Sequence, residues 1–594
     1  MIDLLRIGKC QYLEGIAASP GIAIGRVFVL DTERPRVDEL TVPPDRVEDE
    51  VRSLGAAIEE TKREVASLRD GLAEALGESR ARVFDAHLMI LDDAMIIDGT
   101  LKRIRDEHAS AAHALTETIV QVTNAMTRTR DEYLLDRVYD IKDIERRLLM
   151  KLLGRKAATL DHLEESVIVV AHDLGLGHTV AMRRERVIGF ATEMGGRTSH
   201  AAITARSLEI PAVVGLRDVT SAVSQGESVI LDGALGVLVH KYDDAVLAYY
   251  TERKRQHEEL ERQLLKLKDY PAVTRDGRKV ELLANIEQPD EVGSALAHGA
   301  AGIGLFRTEY LFVERGRLPS EEEQYEAYRT VVSAMAPSPV VIRTLDIGGD
   351  KMAPPGAGAA EANPFLGWRG IRYSLSHPDL FMQQLRAVLR ASAHGPVRIM
   401  FPMVSSLHEV RDAKQVVEAA RQELRAKGVA FDENVPVGIM VETPAAATIA
   451  DVLAQEVDFM SVGSNDLIQY TLAVDRGNDR VAYLYDQYHP AVLQLIAESV
   501  QAAKKHRKWI GICGEMAGDP LAVLLLLGLG LDQLSTSPVM LPEIKSIVRS
   551  TSYNYARRIA ARALRFRTGP DVRRYLEQIF RREFPEISAT EMIT

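Results

Sequence analysis

Residues 194–215 read Met194-Gly195-Gly196-Arg197-Thr198-Ser199-His200-Ala201-Ala202-Ile203-Thr204-Ala205-Arg206-Ser207-Leu208-Glu209-Ile210-Pro211-Ala212-Val213-Val214-Gly215. The pattern is a strand end, a Gly-Gly turn, one helix and a strand opened by proline. Two glycines let the backbone turn tightly and approach a bulky anion. Thr198 or Ser199 supplies a helix N-cap, which sets His200 in the first turn. Free N–H groups and the positive end of the helix dipole favour negative charge there. His200 therefore reads as a nucleophile whose phosphorylated form is electrostatically supported. The plainer alternative is a capping histidine packed under a turn.

Working outward, short apolar runs over 12–30 around Ser19-Pro20-Gly21 read as strand–turn–strand, but their sheet partners do not come next. From Pro43 to Lys156 the spacing is helical, beginning with Val47, Val51, Leu54 and Ile58, then Val65, Leu68 and Leu72. Further helices are expected over 80–92, 94–107, 111–128 and 137–153. Strand-like runs return at 166–170, 187–191, 212–214, 228–232 and 236–240. The economical reading is an α/β domain (1–42 and 157–242) interrupted by an all-helical insertion (43–156). The charged stretch 243–270, with Leu260, Leu264 and Leu267 on one stripe, reads as a linker helix that lets one domain swing against the next.

From 271 to 594 strands and helices alternate. Eight apolar runs (280–285, 302–307, 340–345, 397–401, 437–441, 459–462, 509–513 and 533–536) separated by helical segments are the signature of a (β/α)₈ TIM barrel. The fold class expected is thus α/β multidomain: a swivelling α/β domain bearing His200, its helical insertion, and a barrel.

The bulk properties narrow the function. At 594 residues the chain must hold several cores, since single cores rarely grow past about 250–300 residues. Lys+Arg 73 against Asp+Glu 85 gives a net charge of −12, which disfavours nucleic acid and suits a basic carrier protein. Two cysteines far apart, Cys10 and Cys513, suit a reducing compartment. The apolar run 521–531 is shorter than the roughly 20 residues a bilayer needs, and the N-terminus lacks a basic segment followed by an apolar one. A cytoplasmic location without membrane contact is expected.

Barrel chemistry sits where strands end. Those ends carry Asn285, Arg307, Arg343 with Asp346, Met403, Glu442, Asn465 with Asp466, and Cys513 with Glu515. Arg307, Arg343, Lys351, Arg369 and Arg476 suit a phosphate and a carboxylate. Glu442 and Asp466 end consecutive strands and can converge on one hard cation, as Mg²⁺ is commonly held by two carboxylates plus water and substrate oxygens. Asn465 offers an amide to a substrate oxygen. The ligand so described is small, anionic at two ends and metal-bridged, which fits phosphoenolpyruvate. Cys513, between Gly511-Ile512 and Gly514-Glu515, reads as a thiol of near-neutral pKa able to deliver a proton to an enolate carbon. A buried, inert cysteine is the alternative.

The run around His200 resembles the phosphohistidine signature of the phosphoenolpyruvate-utilising enzymes. The barrel extends the resemblance through 302–309, 343–351, 363–372, 441–444, 463–476 and 511–519, and it points to the enzyme I family of the bacterial sugar phosphotransferase system. That resemblance implies that His200 is phosphorylated, that Arg307, Arg343, Asn465 and Arg476 bind phosphoenolpyruvate, and that Asp466 serves both substrate and metal. It implies Glu442 and Asp466 as Mg²⁺ ligands, Cys513 as proton donor, the helical insertion as docking surface for the carrier HPr, and a homodimer formed through the barrel. His87 falls where docking contacts are implied, though a plain surface histidine fits as well. The residues before Gly15 have no counterpart in the family pattern. The small-residue loop 353–360 reads as a lid hinge or a degenerate tip.

Four other readings compete. A dikinase or synthase needs a nucleotide domain, yet the residues before 166 are mostly helical and lack a Gly-rich phosphate loop. A nitrogen-regulatory paralogue needs an added sensory domain. A barrel lyase leaves the His200 domain idle, and a scaffold explains neither the carboxylate pair nor Cys513. A single rigid placement of His200 serves two partners poorly, so large domain motion is expected.

Overall fold

A computed structural model describes residues 7–30, 37, 40–76, 78–127, 132–154, 163, 165–174, 186–196, 201–202, 205, 210–313, 318–348, 361, 363–476, 478 and 480–587. The chain divides into two compact units, Met1–Lys254 and Arg255–Thr594.

In the first unit, β1 (Gln11–Glu14), β2 (Ile16–Ser19) and β3 (Ile22–Leu30) precede the helices, and β4 (Val167–Ala171), β5 (Val187–Thr192), β6 (Ala212–Val214), β7 (Ser228–Asp232) and β8 (Val237–His240) follow them. All eight join one sheet in the order β1-β8-β7-β3-β4-β5-β6-β2. The parallel pairing of β3 with β4, from Arg26↔Val167 to Leu30↔Ala171, is the joint that the helices interrupt. Every residue of β4 is buried, as expected for a strand covered on both faces. The segment before Gly15 is part of this sheet: β1 pairs antiparallel with β8 through Gln11↔His240 to Glu14↔Val237. It contributes an edge strand that motif comparison alone did not suggest.

Between β3 and β4 lie α1 (Val47–Leu76), α2 (Glu78–Leu91), α3 (Ala94–Glu107), α4 (Ala111–Thr127) and α5 (Glu132–Leu152). Leu54 and Val65 on the apolar stripe of α1 are buried with Phe84, Ile104, Leu115 and Leu149. Asp93 caps α3 by accepting from Met95 N at 2.8 Å. The charged stretch after β8 forms one helix, Asp244–Leu265. Its first turns bury Val246 and Tyr250 against Val237 and Val239, with Ile7 and Cys10 alongside.

The second unit is a closed barrel of eight parallel strands: β9 (Glu281–Ile286), β10 (Ile303–Phe306), β11 (Val340–Arg343), β12 (Val397–Phe401), β13 (Val437–Val441), β14 (Phe459–Gly463), β15 (Trp509–Cys513) and β16 (Gln533–Thr536). Four of these keep the bounds read from the apolar runs. β11 stops at Arg343, short of the expected 345, because Leu345 N donates to Gln384 Oε1 at 3.0 Å instead of joining the ladder. Leu305, Val341, Met400, Met440, Phe459 and Cys513 fill the interior. At the N-terminal end Phe459 stacks on Trp509, centroids 4.3 Å apart and planes within 5°, and the Arg398 guanidinium lies 4.7 Å from the Trp509 ring centre. The run 521–531 becomes the buried helix Pro520–Leu529. Among the described residues no helix is long and apolar enough to cross a membrane.

The Phe459–Trp509 stack closes the base of the barrel, so emptying it leaves a void that the surrounding strands cannot fill. Phe459→Ala is expected to lower unfolding stability by about 3–5 kcal/mol in a denaturant titration followed by tryptophan fluorescence. A loss below about 1 kcal/mol would contradict this account of the interior.

Candidate active site

Parallel pairing aligns the C-terminal strand ends, which collects residues remote in sequence around one opening. Leu305, Arg307, Arg343, Met440, Glu442 and Gly463 line a cavity there, together with Asn465, Asp466, Arg476, Cys513 and Gly514. Two residues expected at the rim differ. Lys351 lies outside the described residues, as do the loop 353–360 and His200. Arg369 is described but stands behind the lining, 1% exposed and held between carboxylates.

Arg369 Nε and Nη2 donate to the two oxygens of Asp346 at 3.0 and 3.1 Å, and Nη1 and Nη2 donate to those of Asp466 at 3.2 Å each. Two-point guanidinium–carboxylate bonds are strong and directional, so Arg369 orients Asp466. Arg343, 4% exposed, donates to Glu309 Oε1 at 2.6 Å and lies 3.2 Å from Asp346 Oδ2. Its Nε is buried and has no hydrogen-bond partner among the described residues. Both guanidinium pKa values are pushed further up, the carboxylates outweighing burial.

Glu442 is fully buried at the end of β13, where Oε1 accepts from Met403 N. Its Oε2 has no hydrogen-bond partner among the described residues. Burial first, then the negative charges of Asp466 and Asp346, push its pKa up. The glycine at 463 leaves room for this carboxylate, since a Cβ there would sit 2.9 Å from Oε2. A carboxylate disfavoured by its surroundings, with one unbonded oxygen and a second carboxylate lining the same cavity, is a donor set that a cation would relieve. Among the described residues no group of three or more His, Cys, Asp or Glu could hold a metal ion; Glu442 and Asp466 would need water and substrate oxygens to complete a shell.

Cys513 Sγ accepts from Ser461 Oγ at 3.4 Å and lies 3.6 Å from Val462 O. Burial, with Glu442 nearby, pushes the thiol up to about 11. This corrects the near-neutral value expected from the flanking glycines: the strand end is enclosed, and desolvation disfavours the thiolate. Gly514, at φ 128°, carries the chain past Ser464 where a Cβ would come within 2.3 Å of Oγ. Asn465 Oδ1 accepts from Glu515 N at 3.0 Å, which orients the amide.

In the first unit, the turn before His200 is pinned. Gly195 has φ 108°; Thr192 Oγ1 donates to Met194 O at 2.7 Å, and Leu216 N donates to Thr192 O at 2.9 Å. Glu193 accepts from Thr220 N at 2.9 Å and lies 2.6 Å from His172 Nδ1. His87 turns inward: it is 5% exposed, with Nε2 3.3 Å from Asp140 Oδ1 and its ring against the edge of Phe84. It is not the plain surface histidine that the sequence also allowed.

Sequence reasoning missed three groups at the mouth: Glu309, which holds Arg343; Tyr470, which accepts from Arg369 Nη1 at 3.3 Å; and Glu287, paired with Arg307. The position of Glu309 two residues after Arg307 was a usable signal. Glu287 was hidden because the strand ends one residue later than its apolar run.

A cation-lined barrel mouth with a carboxylate pair in one unit, and an α/β sheet with a pinned Gly-Gly turn in the other, define an enzyme that handles a small phosphorylated anion. Three family models match in order: PEP-utilising enzyme, N-terminal, over 14–137; the mobile domain over 163–236; and the PEP-binding domain over 261–553. The chain belongs to the PEP-utilising enzyme family. It is 44% identical to a phosphoenolpyruvate-protein phosphotransferase of Geobacillus stearothermophilus over 568 residues, 96% of this chain and 98% of that one. Proteins of the same name from Staphylococcus aureus (44%) and Staphylococcus carnosus (42%) each align over 95% of this chain and 98% of their own.

A thiol titrating near 11 is almost wholly protonated at neutral pH. In a Cys10→Ser background, alkylation of Cys513 by iodoacetamide is expected to rise about tenfold per pH unit from 7 to 10 without levelling, because only the thiolate reacts. A plateau below pH 8.5, read by mass spectrometry, would contradict the buried thiol described.

Proposed function

We propose that the chain is a phosphoenolpyruvate-protein phosphotransferase: it takes the phosphoryl group of phosphoenolpyruvate onto His200, releases pyruvate, and passes the group to a histidine of HPr. The observation that carries the reading is the barrel mouth, where Arg307, Arg343 and Arg476 share one cavity with Glu442, Asp466 and Cys513. Likeness to enzymes of that name over nearly the whole chain supports it.

Arg307, Arg343 and Arg476 neutralise the phosphate and carboxylate oxygens, and Asn465 orients the substrate. Lys351 and Arg369 belong to the same set, Arg369 acting through Asp466. Glu442 and Asp466 would hold Mg²⁺, which when bound supplies further neutralisation of phosphoryl oxygens. Neutral His200 attacks phosphorus in line; an N–P bond forms, the P–O bond to the enol oxygen breaks, and its electron pair stays on the enolate. Cys513 Sγ–H then gives its proton to the methylene carbon, yielding pyruvate, and the thiolate is reprotonated from water. A thiol protonated at neutral pH is in the form this step requires.

For the second transfer His200 must reach a different acceptor. The segments 1–42 and 157–242 act as a swivelling body, the linker 243–270 as its hinge, and the insertion 43–156 as the HPr-docking surface. The barrel, 271–594, binds substrate and pairs two copies. Likeness to enzymes of that name supports a cytoplasmic setting.

Labelled phosphoenolpyruvate with Mg²⁺ is expected to give acid-labile label on the chain that moves to HPr without ATP. His200→Ala is expected to carry no label. Cys513→Ala is expected to form pyruvate at least about tenfold more slowly with KM within about twofold. Label that requires ATP would favour a synthase, and no label would favour a lyase or scaffold. A normal rate in Cys513→Ala would pass the acid role to water or Glu515.

A further inference from the structure

The cations at the mouth differ in the depth of their partners. Arg343 and Arg369 are held by Glu309, Asp346 and Asp466, side chains 0–12% exposed. Arg307 is instead paired with Glu287, whose side chain is 50% exposed. The sheet register brings them together: Phe306 pairs with Ile286, Arg307 N donates to Ile286 O at 3.0 Å, and the next residues leave neighbouring strands side by side. The backbone of Glu287 is fixed, its N donating to Glu291 Oε2 at 2.7 Å in the capping box that follows. Its side chain is the part left to rotate.

We propose that Glu287 is a displaceable counter-ion that occupies Arg307 until a dianionic phosphoryl group takes its place, so that it sets the affinity of the mouth for phosphorylated ligands. An exposed ion pair is weakly held and exchanges readily. A phosphoryl group offers a guanidinium more charge and two-point bonding, whereas a monoanionic carboxylate offers nothing that Glu287 does not. Once displaced, Glu287 stands as a like charge beside the bound anion, so its charge opposes binding twice. The role rests on the reading of the mouth as a phosphate site.

The test is Glu287→Gln in the full chain, titrated by calorimetry with inorganic phosphate and with phosphoenolpyruvate, each with Mg²⁺. Both are expected to bind about two- to fivefold tighter than to the wild type, within the range that loss of an exposed competing charge commands, and KM for phosphoenolpyruvate is expected to fall by the same factor. Glu326→Gln, which removes an exposed carboxylate paired with Arg329 on the helix Glu321–Met335, is expected to leave both affinities unchanged. Unchanged or weaker phosphate binding in Glu287→Gln, or an equal gain in Glu326→Gln, overturns the proposal. If phosphate affinity rises but no pyruvate is formed by the wild type, the counter-ion role stands and the phosphotransfer reading falls. If pyruvate is formed and affinity is unmoved, the reverse holds.

Discussion

Arg369 clasping Asp346 and Asp466 at once is the interaction on which the barrel mouth depends. The three side chains come from loops after β11 and from the end of β14, and they are almost entirely removed from water. An ionised carboxylate in such a place survives only if its charge is matched and its oxygens are bonded. Arg369 does both for Asp346, and Arg343 adds a second positive neighbour. Breaking a pair of this kind costs about 3–5 kcal/mol in well-studied cases, so the arrangement fixes where Asp466 points.

What remains uneven is Glu442. It shares the site with Asp466 and Asp346 but has no positive partner of its own in bonding contact among the described contacts, and one of its oxygens is unsatisfied. The same enclosure that disfavours its charge keeps the Cys513 thiol protonated. Carboxylates and guanidinium groups that share one cavity suit a small anion that arrives with a cation. The aromatic stack below, Phe459 on Trp509, closes the base so that these groups face a single mouth.

In the first unit, the constraint is the parallel joint between β3 and β4. Once five residue pairs in register fix that joint, the helices between them can form a separate core around Phe84, Ile104 and Leu149. The sheet and the helical insertion thus each have their own buried apolar cluster. The edge strand β1 and the root of the helix Asp244–Leu265 share a further one, around Val246 and Tyr250.

Apolar period and turn residues are local properties, and they made the barrel strands, the interrupted sheet and the motifs of the mouth legible from the amino-acid sequence. Strand ends also announced Arg307, Arg343, Glu442, Asn465, Asp466 and Cys513 as neighbours, since parallel register alone brings them together. Depth and pairing are not local. Whether an arginine faces a ligand or a carboxylate depends on side chains from other strands, so Arg369 turned out to orient Asp466, His87 turned inward to Asp140, and Glu287 came to rest on Arg307. The thiol of Cys513 likewise took its pKa from burial, a property of the closed barrel, and not from the glycines beside it. Sequence determined which groups could meet; the tertiary structure decided which charges neutralise one another and which are left for a ligand, because electrostatic energy in a desolvated site depends on distances that only the packed fold sets.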